Sequence, residues 1–134
     1  MRREWREVMI HVRRDDEFLV ALRSPDSGSY WHTIAGKVED GETPDAGAIR
    51  ELREETGLET TTLETIGEFA YVREDWESEP GLRVHVKAFL VDVGPGWEPT
   101  LNEEHDEYRW LRREEAAALL FWPEPAAILR ALPA

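Results

Sequence analysis

The chain has 134 residues, of which 41% are hydrophobic and six are tryptophan, so it can bury a core and is not expected to be disordered. Its formal net charge of −13 disfavours duplex nucleic acid as a partner, because the phosphate backbone would be repelled. The absence of cysteine excludes disulfides and thiolate metal sites, and no run approaches the roughly 18 apolar residues of a membrane helix.

Nothing in the sequence divides it into parts. It contains no internal repeat, no low-complexity segment and no convincing linker, so we predict one domain over residues 1–134. The first residues, MRREWREV, lack the apolar stretch of a secretory signal, which favours a cytoplasmic protein without a membrane partner. The oligomeric state stays open, a homodimer included.

Short strands are predicted in the N-terminal part. Residues 7–13 (EVMIHVR) alternate apolar and polar side chains, and residues 17–22 (EFLVAL) follow after a turn, so both are predicted as strands. The segment 24–29 (SPDSGS) has loop composition. A further short strand is expected at 31–34, leading into a glycine at position 36.

A helix is predicted between Thr43 and Gly57. Thr43 is a good N-cap, Pro44 suits the first helical position, and Gly57 is a C-terminal stop. This helix is expected to pack its apolar side on a sheet and to present its carboxylates to a cleft. The predicted apolar stripe consists of Ala46, Ile49 and Leu52.

The C-terminal half contains longer predicted strands and two helices. An acidic hairpin tip at 73–81 is expected between the two longer strands. Strands interrupted by one central helix and followed by C-terminal helices favour an α/β (α+β) fold, an α/β/α sandwich around a mixed sheet. The predicted strands are 63–72, 82–93 and 107–111, and the predicted helices, broken at Pro123, are 114–120 and 124–132.

Three carboxylates of the central helix share one face. Glu51, Glu54 and Glu55 stand at i, i+3 and i+4. Like charges at these spacings repel one another, so they do not stabilise an isolated helix. A divalent cation that prefers oxygen ligands, such as Mg²⁺, is the simplest reason to gather them. Facing a phosphorylated substrate, such a cation would serve a phosphoanhydride hydrolase. The alternative is a solvated acidic surface.

The segment 36–58, GKVEDGETPDAGAIRELREETGL, resembles a complete Nudix box. The resemblance implies a Nudix hydrolase, which uses Mg²⁺ or Mn²⁺ to cleave a nucleoside diphosphate linked to another moiety. It also implies that the box forms a loop, a helix and a second loop. The defining positions are filled by Gly36, Glu42, Arg50, Glu51, Leu52, Glu54, Glu55, Gly57 and Leu58.

The resemblance assigns roles by position. Glu51, Glu54 and Glu55 would bind metal, together with the backbone carbonyl of Ala35. Gly36, Glu42, Arg50 and Gly57 would be structural, with Arg50 and Glu42 joined by an ion pair or hydrogen bonds that hold the loop against the helix.

A further carboxylate is expected from the loop 102–110 (NEEHDEYRW). Similarity to members that cleave nucleoside triphosphates favours Glu104 over Glu103, with Glu107 as the alternative. The sequence does not identify the general base uniquely. Glu54 is preferred, and Glu51 and Glu104 are the alternatives. Phosphate oxygens could be held by two cations near the box, Arg23 and Lys37.

The substrate is the least determined feature. The segments 30–36, 104–105 and 108–111 resemble bacterial dihydroneopterin triphosphate pyrophosphohydrolases, so this compound or a nucleoside triphosphate is expected. ADP-ribose, nucleotide sugars and dinucleoside polyphosphates are alternatives, as is a ligand-sensing module without turnover. Candidates for stacking on the base are Tyr71, Trp76 and Trp122. The four histidines are expected to be structural, although His85 is also a candidate to face the cleft.

Overall fold

The computed structural model describes residues 6–73 and 81–133, in which seven strands form one mixed sheet. Trp5, Trp76 and most of the predicted hairpin tip lie outside these residues. The elements are β1 (Glu7–Arg14), β2 (Glu17–Arg23), a short 3-10 helix (Pro25–Ser27), β3 (Trp31–His32), β4 (Ile34–Lys37), α1 (Pro44–Thr56), β5 (Glu64–Arg73), β6 (Leu82–Val93), β7 (His105–Arg112), α2 (Arg113–Leu119) and α3 (Pro123–Ala131).

Strand β1 is the centre of the sheet. It runs parallel to β6 and antiparallel to both β4 and β2. Strand β4 pairs with residues 7–10 of β1, whereas β2 pairs with residues 13–14, so the two partners share one edge of the same strand. The sheet therefore splits beside β4, next to the acidic residues of α1.

The short strand predicted at 31–34 is two strands. Trp31 and His32 pair with β2, whereas the chain from Ile34 onward pairs with β1. Between them the buried hydroxyl of Thr33 donates to the carbonyl of Ile10 at 2.5 Å, which fixes the crossing. The sequence pattern did not reveal this change because it depends on two distant partners.

The predicted α/β/α sandwich is confirmed. Helix α1 covers one face of the sheet, and its Leu52 packs against Ile10 and Phe89. Helices α2 and α3 cover the other face, where Leu129 packs against Phe18. Alternation along β1 produces both layers, because side chains 8, 10 and 12 face α1 while 9 and 11 face away.

Helix α1 has the predicted ends. The hydroxyl of Thr43 accepts a hydrogen bond from the amide of Ala46 at 3.1 Å, and Pro44 occupies the first turn. Gly57 adopts a left-handed conformation with φ of 80°, and its amide donates to the carbonyl of Arg53. The boundaries were predictable because caps are local in sequence.

The predicted buried stripe of α1 is partly wrong. Leu52 is buried, but Ala46 is exposed and Ile49 is only half-buried. Ala48 takes the expected core position, one turn before Leu52, and Glu55 is also buried on this side. The helix is therefore rotated relative to the prediction, so that Ala48 and Leu52 together face the core.

Predicted helices 114–120 and 124–132 correspond to α2 and α3, each displaced by about one residue. Pro123 does not break a continuous helix but begins α3, where its missing amide donor has no cost. Among the described residues, none of the helices is long and apolar enough to span a membrane.

Glu98 anchors the loop that leads to β7. Its Oε1 accepts hydrogen bonds from the hydroxyl of Tyr108 at 3.1 Å and from Nε1 of Trp110 at 2.9 Å. Arg14 forms an ion pair with the same carboxylate and lies 4.1 Å from the ring centroid of Trp110. The loop is thus fixed before it reaches Glu104, which lies immediately before β7.

Buried His11 makes the stability of the fold dependent on pH. Its Nε2 donates to the carbonyl of Pro125 in α3 at 3.1 Å. Burial outweighs this bond and lowers the pKa of His11 from 6.5 to about 4. The unfolded imidazole therefore binds a proton at higher pH than the folded one, so the contribution is present above pH 6.5 and is lost as the pH falls toward 4.

We expect His11→Gln, which keeps an N–H donor, to abolish this contribution to the pH dependence. Between pH 7 and pH 4 the free energy of unfolding of wild type should fall by about 3 kcal/mol more than that of the variant. Urea unfolding of both proteins across this range measures the difference. Parallel curves would show that His11 does not stay neutral in the fold.

Candidate active site

Arg50 ties the loop after β4 to helix α1. Its Nε and Nη2 donate to the two carboxylate oxygens of Glu42 at 2.7 and 3.1 Å, a bidentate pair. Nη2 also donates to the carbonyl of Lys37 at 2.8 Å. The hydrogen bonds lower the pKa of Glu42 and raise that of Arg50. The ion pair expected between Arg50 and Glu42 is present, and Glu39, which the sequence did not suggest, pairs with Nε at 2.9 Å.

The same guanidinium group contacts two of the three clustered carboxylates. Nη1 of Arg50 donates to Oε1 of Glu51 at 2.9 Å and to Oε2 of Glu54 at 3.2 Å. Glu51 is mostly buried, whereas the side chain of Glu54 is 52% exposed. Arg50 therefore offsets part of the repulsion between these carboxylates and leaves Glu54 accessible to water.

Gly36 provides the space that the carboxylate of Glu51 occupies. A Cβ atom at position 36 would overlap all three atoms of that carboxyl group. Glycine is therefore required here by close approach, and the backbone φ of this residue is not in the left-handed region. The contact places Glu51 directly against β4, beside Ala35.

Glu55 is a buried carboxyl group without a hydrogen-bond partner. Only 1% of the residue is exposed, and neither of its carboxylate oxygens accepts a hydrogen bond. Burial raises the pKa of Glu55, and the neighbouring carboxylates of Glu51 and Glu104 raise it further. The prediction that Glu51, Glu54 and Glu55 are all presented to the cleft is therefore wrong for Glu55, which is buried and does not line the cleft.

Of the loop carboxylates, Glu104 lies near the acidic residues of α1. It lines the same cleft as Glu51, and its backbone carbonyl accepts a hydrogen bond from Ser24 at 2.8 Å. The alternative, Glu107, lies within β7 opposite Leu22 and pairs with Arg109 at 3.7 Å. The geometry thus favours Glu104.

The residues around α1 fit a divalent cation. Within residues 6–73 and 81–133 no three Asp, Glu or His side chains already converge as a ligand set. Arg50 donates hydrogen bonds to Glu51 and Glu54. Glu55 nevertheless offers two buried oxygens that nothing else satisfies, and Gly36 leaves room for a second carboxylate. Such an oxygen-rich donor set suits a hard cation such as Mg²⁺ or Mn²⁺.

The acidic residues adjoin a cleft of about 980 Å³. One row of side chains crosses its floor through paired positions of four strands, from Lys37 through Glu7 and Val86 to Phe69. Three strand spacings separate the ends of this row, about 14 Å. A lysine at one end and an aromatic ring at the other are thus spaced to receive an elongated ligand.

Aromatic side chains line the part of the cleft contributed by β5 and the start of α3. Tyr71 and Trp122 both lie there, as anticipated for two of the three stacking candidates. The hydroxyl of Tyr71 donates to Glu7 at 2.6 Å, and the ring of Trp122 makes an edge contact with Tyr30 at 5.8 Å. Trp122 is 44% exposed, unusual for a tryptophan that only packs a core.

Both predicted phosphate-binding cations are in the cleft. Arg23 ends β2, and its guanidinium carbon lies 5.8 Å from the ring centroid of Tyr30. Its charge adds to burial in lowering the pKa values of His32 and His105, to about 3 and about 4. Lys37 is exposed at the end of β4 and also lines the cleft.

Sequence reasoning missed several cleft residues and misplaced one. Tyr30, Glu7 and Glu124 line the cleft. Glu7 and Glu124 come from distant parts of the chain and belong to no motif, whereas Tyr30 lies in the segment 30–36, which was noted for its resemblance and not for a place in the cleft. His85, a candidate to face the cleft, does not line it. Its neighbour Val86 does, and alternation along β6 turns His85 to the other face.

Comparison with known proteins identifies the family. A family model described as "NUDIX domain" matches residues 3–132. The asymmetrical bis(5'-nucleosyl)-tetraphosphatase of Mus musculus is 35% identical over 119 residues, which cover 85% of this chain and 76% of that protein. The CTP pyrophosphohydrolase of Escherichia coli (strain K12) is 33% identical over 123 residues, 90% of this chain and 84% of that protein.

Two further likenesses are more limited. An octanoyltransferase of Myxococcus xanthus is 34% identical over 93 residues, 69% of this chain, but this chain spans only 26% of that longer protein. The structure of the Escherichia coli dihydroneopterin triphosphate pyrophosphohydrolase matches with a TM-score of 0.78 and 22% identity over 96% of each chain, which shows a shared fold. Because the family model covers nearly all of the sequence, this chain belongs to the Nudix family of hydrolases.

Proposed function

We propose that this Nudix pyrophosphohydrolase cleaves a nucleoside triphosphate, or the related dihydroneopterin triphosphate, into a monophosphate and pyrophosphate. A water oxygen attacks one phosphorus, and the phosphoanhydride bond on its far side breaks. The observation that carries the proposal is that Glu51 and Glu104 line the same cleft as an aromatic wall, formed by Tyr71 and Trp122.

The proposed cofactor is Mg²⁺, with Mn²⁺ as its substitute. Glu51, Glu54 and Glu55 would hold it, with Glu104 and the carbonyl of Ala35 as further oxygen donors. When bound, divalent ions would neutralise phosphate oxygens and would lower the pKa of a bound water toward ~7. Support comes from the buried, unsatisfied oxygens of Glu55.

The proposed general base is Glu54, which would take the proton of the attacking water. Its exposure gives water direct access, while the hydrogen bond from Arg50 holds the carboxylate in place. Glu51 and Glu104 are the alternatives. Arg23 and Lys37 would contact phosphate oxygens, since both line the cleft.

Trp122 is proposed to stack on the base or pterin ring. We expect Trp122→Ala to raise KM about tenfold with little change in kcat, because base stacking contributes roughly 1–3 kcal/mol to binding. Trp122→Phe, which keeps an aromatic face, is the matched control and should lie near wild type. Steady-state kinetics on the best substrate decides, and an unchanged KM in the alanine variant would exclude stacking by Trp122.

A substrate panel with Mg²⁺ tests the proposed reaction. Each nucleoside triphosphate, dihydroneopterin triphosphate, ADP-ribose, a nucleotide sugar and a dinucleoside tetraphosphate would be compared by kcat/KM with product identification. Highest kcat/KM on a triphosphate, with pyrophosphate release, is the expected result. Tight binding of one compound without any product would instead indicate a ligand-sensing module.

Dinucleoside polyphosphates are a second candidate substrate class. The mouse relative named for cleaving a bis(5'-nucleosyl) tetraphosphate supports this alternative at 35% identity. The open cleft does not conflict with a second nucleoside extending from the phosphate-binding end. A tetraphosphate preferred in the panel would move the assignment to this class.

The setting of the enzyme is also proposed. We propose one Nudix domain over 1–134 that works in the cytoplasm on a small nucleotide-like diphosphate, with neither duplex nucleic acid nor membrane as partner. The family match over residues 3–132 supports the single domain. The net charge of −13 supports the expectation that duplex nucleic acid is not a partner. A homodimer is compatible with the proposal and is not required by it.

A further inference from the structure

Two buried polar side chains face each other beside the cleft and neither has a partner. The side chain of His105 is fully buried, and neither of its ring nitrogens forms a hydrogen bond. Oε1 of Glu55 lies 3.8 Å from Nε2 of His105, and both carboxylate oxygens of Glu55 are also unsatisfied. Buried polar groups without hydrogen bonds reduce the free energy of unfolding, so this arrangement indicates that the pair has a function.

The backbone holds His105 in this position. His105 is the first residue of β7 and pairs with Arg23 just past an irregularity in the register of β2. The amide of Ser24 donates to the carbonyl of Glu104 at 2.8 Å, which fixes the residue immediately before the imidazole. Irregular pairing of this kind often aims a side chain at an active site.

The separation of 3.8 Å is too long for a hydrogen bond, but a shift of about 1 Å would close it. A neutral imidazole carries one N–H donor, and Nε2 is the nitrogen nearest to the carboxylate. A carboxylate that donates electrons to a cation through one oxygen can accept this hydrogen bond at the other. Groups that orient metal ligands in this way strengthen metal binding.

We propose that His105 is a positioning residue that donates a hydrogen bond from Nε2 to Oε1 of Glu55 and thereby orients Oε2 toward the divalent cation. The inference rests on the proposed metal-dependent function. It assigns to His105 a role that the sequence did not indicate, since all four histidines were expected to be structural. The imidazole itself is not a ligand of the cation in this proposal.

Binding of Mn²⁺ without substrate, followed by EPR, tests the proposal independently of turnover. His105→Leu removes the donor and should weaken Mn²⁺ binding about 10- to 100-fold. His105→Gln, which restores an N–H near the same position, should remain within about threefold of wild type. In EDTA the leucine variant should unfold no earlier than wild type, because an unsatisfied polar group has been replaced by an apolar one.

A double-mutant cycle with Glu55→Gln separates positioning from general damage. If His105 acts through Glu55, adding His105→Leu to Glu55→Gln should weaken Mn²⁺ binding no further. Wild-type affinity in His105→Leu, an equal loss in both backgrounds, or ¹⁴N coupling from a coordinated imidazole would overturn the inference while leaving the proposed function intact. Failure of wild type itself to bind Mn²⁺ would overturn both.

Discussion

Replacing Glu54 by glutamine is expected to lower kcat by a factor of about 10² or more, the scale of losing a general base or a metal ligand. The fold should be preserved, because the side chain is 52% exposed and the amide oxygen of glutamine can still accept the hydrogen bond from Arg50. Steady-state kinetics with saturating Mg²⁺, together with a thermal unfolding curve, measures both effects.

Two further measurements make the Glu54 experiment specific. Glu59→Gln removes the same charge from an exposed position just after α1 and should leave kcat unchanged. Mn²⁺ affinity then distinguishes the two roles of Glu54, because loss of a base leaves affinity near wild type whereas loss of a ligand weakens it. Near-full kcat in Glu54→Gln would show that neither role belongs to this residue.

Replacing Gly36 by alanine should lower activity by displacing Glu51, in contrast to the substitution of Glu54 itself. The added methyl group would overlap the carboxyl group of Glu51, so that side chain must leave its place against β4. We expect kcat/KM to fall about 10²-fold or more. The fold should also lose about 1–3 kcal/mol, the usual scale for overpacking.

Gly94→Ala is the control for the Gly36 substitution. A Cβ atom at position 94 would meet no other atom within 4 Å, so this variant should behave as wild type. Combining Gly36→Ala with Glu51→Ala removes the overlap and should restore the unfolding midpoint but not activity. A Gly36→Ala enzyme with full activity would show that Glu51 does not need its position against β4.

Features encoded by neighbouring residues were predictable from the sequence. Thr43 and Gly57 end α1 as expected, because capping depends on backbone groups within one turn. The pairing of Arg50 with Glu42 was expected from the resemblance, and the spacing of eight positions lets the loop before α1 bring them together. The alternation within 82–93 also matched β6 at both ends.

Features that depend on distant contacts were not predictable. Glu55 was expected to face the cleft together with Glu51 and Glu54, yet the rotation of α1 against the sheet buries it next to His105. The division of residues 31–34 at Thr33 follows from pairing with two different strands. The aromatic wall combines β5 with the start of α3, which no local pattern connects.

Hydrolysis in H₂¹⁸O tests the central claim most directly, namely that the carboxylates of α1 bind divalent cations where water can split a polyphosphate. The account predicts that wild type with Mg²⁺ or Mn²⁺ forms a monophosphate and pyrophosphate, with one ¹⁸O in one of the two products, and that EDTA abolishes the reaction. Mass spectrometry of the products reads out the label. No consumption of any polyphosphate ester with either metal, or equal turnover in EDTA, would contradict it.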